Sequence, residues 1–381
     1  MKQEKLALYL HFPFCKSKCY YCDFNSYSQQ EKLMTAYGEA LLLEVERSLP
    51  DDREISSIYF GGGTPSYFPI EILSKVLTFI KSRAKLARTT EVTLEVNPGT
   101  VGSNELQGLY QAGFNRLSIG LQVVQDHLLK TIGRIHNFVE FLEVFQAARE
   151  LGFENLGIDL IFGLPGQTLL EWQESVTQVV KLQPEHISAY GLQLENGTPL
   201  AEMVATKRAT LPSEDEVVTM MQWVMDFLPE VGYTHYEISN YAKPGKEARH
   251  NLGYWQGVEY LGFGAGAVST FAGERWQNPA IPVEYIQAVH EGIVSRLELE
   301  KIDTKIAARE ALMLGLRLNK GLNLQEYQHK YQLDLVEKLE PELISLIGQK
   351  LLQLEANQLS LTQQGIFLSN QVIGRLLNGL Q

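Results

Sequence analysis

Three cysteines, Cys15, Cys19 and Cys22, share one eight-residue window, CKSKCYYC, and the rest of the chain contains none. Thiolates are soft ligands, so this clustering puts all three where one metal centre can take them. Three is one short of the four that usually close a zinc or iron–sulfur site. In a zinc site His11 or Asp23 would complete the set, but the second ligand pair that such sites place farther along the chain is missing. In a [4Fe–4S] cluster one iron would stay open to a small-molecule ligand, and the open position is where chemistry can occur. The cluster is the stronger reading.

Other residues of chemical use fall where apolar runs end. Gly61, Gly62 and Gly63, followed by Thr64-Pro65, come straight after SSIYF. Without Cβ atoms the backbone there can bend sharply or approach a ligand closely, although a tight strand-to-helix turn would use the same residues. The Lys-Ser/Thr of a phosphate loop is absent. Glu95 and Asp159 are acids inside apolar strands, where an unpaired charge is costly. A ligand with a cationic group and hydroxyls would supply their partners; solvated carboxylates at a rim are the plainer alternative. Arg134, in GRIH, offers a planar fork to a carboxylate, or else sits in solvent.

Elements that could position these residues alternate along the chain. Strand-like runs near 6–12, 55–60, 91–96, 114–119, 154–161 and 186–192 alternate with helical patterns near 28–48, 69–83, 103–112, 137–151, 168–182 and 213–231. Six βα units predict an α/β fold with a parallel sheet, either an open doubly wound sheet or a partial barrel. Every candidate residue lies near a strand's C-terminal end. A barrel spreads its site over many strands, whereas an open sheet concentrates it at one switch point. The spread predicts a partial (β/α)6 TIM-like barrel over residues 1–235. Residues 236–300 would close the arc, with Gly262, Gly264 and Gly266 permitting close packing. From 301 to 381 the pattern changes to a small helical, winged-helix-like unit: helices in KIDTKIAAREALMLGLRL, NLQEYQHKYQL and ELISLIGQKLLQLEA, then a short strand-like pair and a final helix.

Composition narrows the function classes. The chain has 381 residues, 45% of them hydrophobic, enough for a sizeable core. Its 33 basic and 45 acidic residues give a net charge of −12, which argues against a nucleic-acid partner. The N-terminal apolar run is too short for a signal peptide and no stretch is long enough to span a membrane. A cytoplasmic protein is the expectation, with peripheral membrane association left open.

Together the motifs resemble a known family. CKSKCYYC, with YLHFPFC, FGGGTPS, EVNPG, RLSIGLQ, GRIH, DLIFGLPGQT, HYEISNYA and HNLGYW in that order, is similar to the radical S-adenosylmethionine (SAM) proteins of the oxygen-independent coproporphyrinogen III oxidase-like family. The resemblance covers about residues 9–270 and implies that Cys15, Cys19 and Cys22 bind three irons while SAM chelates the fourth. Tyr9 and Tyr21 would flank the cluster. Gly62, Gly63 and Thr64 would meet the amino-acid end of SAM, Glu95 its amino group and Arg134 its carboxylate. Gln122 and Asp159 would face the carboxylate and ribose, and Gln193 the adenine. The oxidases resemble CxxxCxxCxC and carry a longer N-terminal arm, whereas here Phe24 stands at the fourth cysteine's position and only eight residues precede Tyr9. Both departures, with the intact HNxxYW segment, point to the heme-chaperone branch. That branch implies heme as a third cofactor, a heme-acceptor protein and an electron-donor protein as partners, and no oxidase activity; porphyrinogen oxidation by radical chemistry is the alternative. Imidazole is a common axial heme ligand, and His235 and His250 lie among Tyr236, Tyr241, Tyr254 and Trp255. The HNxxYW resemblance places heme contact at His250, Tyr254 and Trp255, against the alternative of a hydrogen-bonded structural histidine.

Overall fold

A computed structural model describes residues 5–292 and 296–380. Six strands, β1 (Lys5–Phe12), β2 (Glu54–Gly62), β3 (Lys85–Val96), β4 (Arg116–Gln122), β5 (Leu156–Phe162) and β6 (His186–Gly191), pair in sequence order and in parallel. After them come α1 (Met34–Ser48), α2 (Ile70–Arg83), α3 (Ser103–Ala112), α4 (Phe138–Glu150), α5 (Leu169–Lys181) and α6 (Glu214–Glu230). Local chemistry sets the helix starts. Asn137 with Glu140, Thr168 with Glu171 and Ser213 with Glu216 form reciprocal capping boxes at the starts of α4, α5 and α6. Gly113, left-handed at φ 92°, ends α3.

Each strand is two-sided. Val92, Leu94 and Val96 of β3, Leu117, Ile119 and Leu121 of β4, and Leu156, Ile158 and Leu160 of β5 join one apolar core with helix residues such as Leu77 and Trp172. Alternation sends the intervening residues to the opposite face. There Glu95, Arg116, Ser118 and Asp159 line a common cavity, so the inner face of the arc is polar. Trp172 is fully enclosed and donates its indole N–H to Met220 O at 3.0 Å. Trp172→Ala should therefore destabilise the fold by about 3–5 kcal/mol, read from the denaturant midpoint.

Residues 236–300 do not close the arc as expected. Thr234–Glu237 and Asn240–Ala242 extend the sheet antiparallel beyond β6. Glu259–Phe263 pairs in parallel with β1 and leads to Val268–Phe271, Glu274–Gln277 and Leu297–Lys301. One group is anchored on β6 and the other on β1, and the strand order has no pairing between the two groups. The result is one open twelve-stranded sheet, a partial barrel lengthened at both edges. The glycines here do serve close packing: a Cβ on Gly264 would stand 2.6 Å from His11 O and from the Tyr37 hydroxyl.

The C-terminal unit contains helices Thr304–Gly315, Leu324–Tyr331, Glu340–Gly348 and Ser369–Gly379. The helix expected to run through LLQLEA stops at Gly348, and Leu352–Glu355 pairs with Gln358–Leu361 as a hairpin. Its turn residues Ala356 and Asn357 both have positive φ, the conformation that matches strand twist in two-residue turns. The period of so short an apolar run does not separate helix from strand. Leu312, Leu339, Leu346 and Leu376 form the unit's core, which also takes in Met225 of α6. Ile238 N donates to Arg317 O at 3.2 Å and Asn319 N to Tyr236 O at 3.1 Å, stitching this unit to the barrel. No described helix is long and apolar enough to cross a membrane.

Candidate cluster and cofactor site

At the C-terminal ends of the strands lies a cavity of about 440 Å³. The loop after β1 supplies Cys15, buried, and Cys19 and Cys22, half-buried, all three on its wall. Lys18 holds this loop by donating to Phe24 O at 3.0 Å and Ser26 O at 3.2 Å. Burial pushes the Cys15 and Cys22 thiols up, and hydrogen bonds act against this, from Thr64 at Cys15 and from Phe24 N–H at Cys22. Thr64 Oγ1 donates to Cys15 Sγ at 3.3 Å, and Arg134 Nη1 to Cys19 Sγ at 3.4 Å.

The glycine turn is built against this loop. Gly63 N donates to Phe12 O at 2.8 Å, and Thr64 N to Phe14 O at 3.1 Å. A Cβ on Gly63 would stand 2.9 Å from Phe12 O and 3.1 Å from Cys15 Sγ, so a side chain here would displace the cysteine strand. Neither zinc alternative is assembled. His11 uses both ring nitrogens, with Tyr9 Oη at 3.0 Å and Asn25 O at 2.8 Å. Among the described residues no three His, Cys, Asp or Glu groups converge on a position for a single ion.

Two carboxylates face the same cavity. Glu95 accepts from Tyr59 Oη at 2.8 Å and Gly62 N at 3.1 Å, and burial, with the Asp159 charge adding, pushes its carboxyl up to about 7. Asp159 accepts from Ser188 at 2.6 Å and Ser118 at 3.1 Å; burial raises it too, against these bonds and the Arg116 charge. Arg134 donates to Gly120 O at 2.6 Å. Gln122 sits at the end of β4 with φ 70°, a rare conformation for a non-glycine residue and one that concentrates at functional sites. Its Oε1 and the Nε of Arg134 are buried without partners.

Of the residues singled out from sequence, Tyr21, Gly62, Gly63, Thr64 and Glu95 line the cavity with the cysteines, as do Gln122, Arg134, Asp159 and Gln193. Tyr9 does not; its hydroxyl meets His11. Phe24 reaches the mouth and is 62% exposed. His250, Tyr254 and Trp255 stand outside the cavity, although Asn251 of the same segment lines it. His250 is enclosed, with Nδ1 on Ser57 Oγ at 2.9 Å and Nε2 on Tyr254 Oη at 3.0 Å. Burial, with Arg116 adding, lowers it to about 3, so the ring is neutral. His235 is held against Tyr241, ring centroids 4.2 Å apart. Sequence reading missed Arg116, Ser118, Ser188, Tyr59 and Tyr190 on the wall. For Ser118, Ser188 and Tyr190 the signal was available: polar residues alternating with apolar ones in RLSIGLQ and HISAYG.

Comparisons with known proteins identify the family. The radical SAM superfamily model matches residues 9–179, and the HemN C-terminal domain model residues 302–368. A heme chaperone HemW of Lactococcus lactis is 34% identical over 99% of this chain and 98% of its own; that of Bacillus subtilis is 36% identical over 98% and 100%. The coproporphyrinogen III oxidase HemN of Escherichia coli shares the fold, with a TM-score of 0.86 at 24% identity over 98% of this chain and 90% of its own. SAM and a [4Fe–4S] cluster, the cofactors of the superfamily, fit the donor set: three sulfurs leave one iron free, two carboxylates suit a cationic ligand, and two buried polar atoms lack partners. By the extent of its identity to those relatives, the chain belongs to the HemW family of radical SAM proteins.

Proposed function

We propose that this protein is a cytoplasmic heme chaperone that binds heme and passes it to an acceptor protein, with a SAM-ligated [4Fe–4S] cluster as its second centre. The observation that carries the reading is full-length identity of 34–36% to two chains named heme chaperone HemW. Phe24, where the oxidases resemble a further cysteine, supports it. In the SAM site, Glu95 takes the ammonium and Arg134 the carboxylate, while Gly62, Gly63 and Thr64 hold the amino-acid end. Gln122 and Asp159 face the carboxylate and ribose, Gln193 the adenine, and Tyr21 the cluster, with Tyr9 set farther back. Bound SAM supplies radical chemistry; the protein's share is to bind, orient and exclude water. A separate electron-donor protein would reduce the cluster.

Heme contact is assigned to the HNxxYW segment through Tyr254 and Trp255, whose indole N–H is buried without a partner. Ligation by His250 would require both of its hydrogen bonds to break. One anaerobic experiment tests the function. After cluster reconstitution, heme is titrated with absorbance detection, and coproporphyrinogen III is supplied with SAM and a reductant. A saturable Soret shift without porphyrinogen turnover is expected; robust turnover would replace the chaperone reading with the oxidase.

A further inference from the structure

Arg116 is the first residue of β4 and is 1% exposed. It reaches the floor of the cofactor cavity, and its Nε is buried without a partner. Gly157 on β5 leaves it room: a Cβ there would stand 3.0 Å from Arg116 Nη2. So enclosed a cation is costly unless charges around it answer it. Carboxylates do so on two sides: the strand register sets Arg116 opposite Thr93, between Glu91 and Glu95 on β3, and its Nη2 lies beside Gly157, two residues before Asp159 on β5. Glu91 lies beneath, accepting from the backbone N–H groups of Arg249 at 3.1 Å and His250 at 3.2 Å, while Asp159 and Glu95 lie on the cavity side. The remaining titratable groups facing it are the phenols of Tyr59 and Tyr236 and the imidazoles of His186 and His250, all pushed towards their neutral forms by burial. Arg134, the other arginine of the cavity, is turned to Cys19 and Gly120 at the upper rim.

Two carboxylates in one cavity disfavour each other's ionisation, yet a cationic ligand needs them ionised. We propose that Arg116 is a positioning residue for SAM: without touching the cofactor, its guanidinium favours the ionised forms of Glu95 and Asp159, the forms that take the ammonium and the ribose hydroxyls. Glu91 in turn holds Arg116 and tempers its effect. The inference rests on the assignment of the SAM ammonium to Glu95.

The test is SAM binding to the cluster-reconstituted full chain, by calorimetry across pH 6–9 in two buffers of different ionisation enthalpy, which counts protons released. Arg116→Met should weaken binding at pH 7 by about tenfold or more, increase proton release, and recover affinity as the pH rises. Arg116→Lys, keeping the charge, should stay within about threefold of the parent. Glu91→Gln should move the pH midpoint in the opposite direction, and its midpoint decides between the outcomes if Arg116→Met fails to hold its cluster. Unchanged affinity and proton count in Arg116→Met, equal loss at every pH, or an unmoved midpoint in Glu91→Gln would each overturn the proposal. Glu95→Gln, measured alongside, separates the two levels: if it binds SAM normally, the ammonium assignment itself has failed.

Discussion

Cys19→Ser should give a colourless protein after reconstitution, without the brown [4Fe–4S] absorption. Two sulfurs would remain for three irons, and a serine hydroxyl is a hard, weakly acidic donor in place of a soft thiolate. The loss reaches beyond one ligand. Arg134 Nη1 donates to Cys19 Sγ at 3.4 Å while its Nη2 is bonded to Gly120, so the guanidinium assigned to the SAM carboxylate is oriented partly by the sulfur. Absorption and iron content per chain are the measurements, with SAM affinity following them down. A normal spectrum in the variant would contradict the ligand assignment.

SAM affinity should also depend on pH through Glu95. Its carboxyl in the free protein titrates at about 7, chiefly because it is buried and then because Asp159 adds a like charge, partly offset by the bonds from Tyr59 and Gly62. An ammonium pairs with the ionised form. Below pH about 7 binding must first expel a proton, so affinity should fall by up to about tenfold per unit of pH; above that point the gain should end, and affinity should turn down once the ligand's own α-amino group loses its proton at about pH 8. Glu95→Gln should cost about 2–5 kcal/mol of binding free energy, as does truncation of one partner in a buried charge pair, and should flatten the pH profile. Titration of SAM into the reconstituted protein at several pH values measures both effects. A parent profile flat from pH 6 to 8 would mean that Glu95 is not the ammonium's partner.

What could be read from the sequence follows a physical divide. The order of strands and helices was legible because β1 to β6 carry dense apolar runs and α4 to α6 open on Asn-x-x-Glu, Thr-x-x-Glu and Ser-x-x-Glu boxes. The cysteines, the glycine turn, Glu95 and Asp159 stood out because each residue type is anomalous for its place, whereas Arg134 was singled out through the family resemblance. Arg116 was not singled out, since it opens a strand rather than ending one and looks like a boundary cation until the inner face is known. His250 shows the converse. Its neighbours in HNLGYW suggest a ligand, but only the fold reveals that Ser57 and Tyr254 occupy both ring nitrogens. The edges of the sheet were also hidden, because the short strands after residue 233 find partners by tertiary register rather than local pattern.

Helix α6 serves two masters. Met220, Val224 and Leu228 are packed into the barrel core, while Met225 on another face belongs to the core of the C-terminal unit. Separating the two bodies would strip one flank of this helix whichever of them kept it. Melting is therefore expected to be cooperative across the boundary, a single foldon rather than a core with an independent appendage. Evolution can then vary the C-terminal unit only within what α6 tolerates, and a lesion at Leu312 or Leu376 would be felt in the barrel.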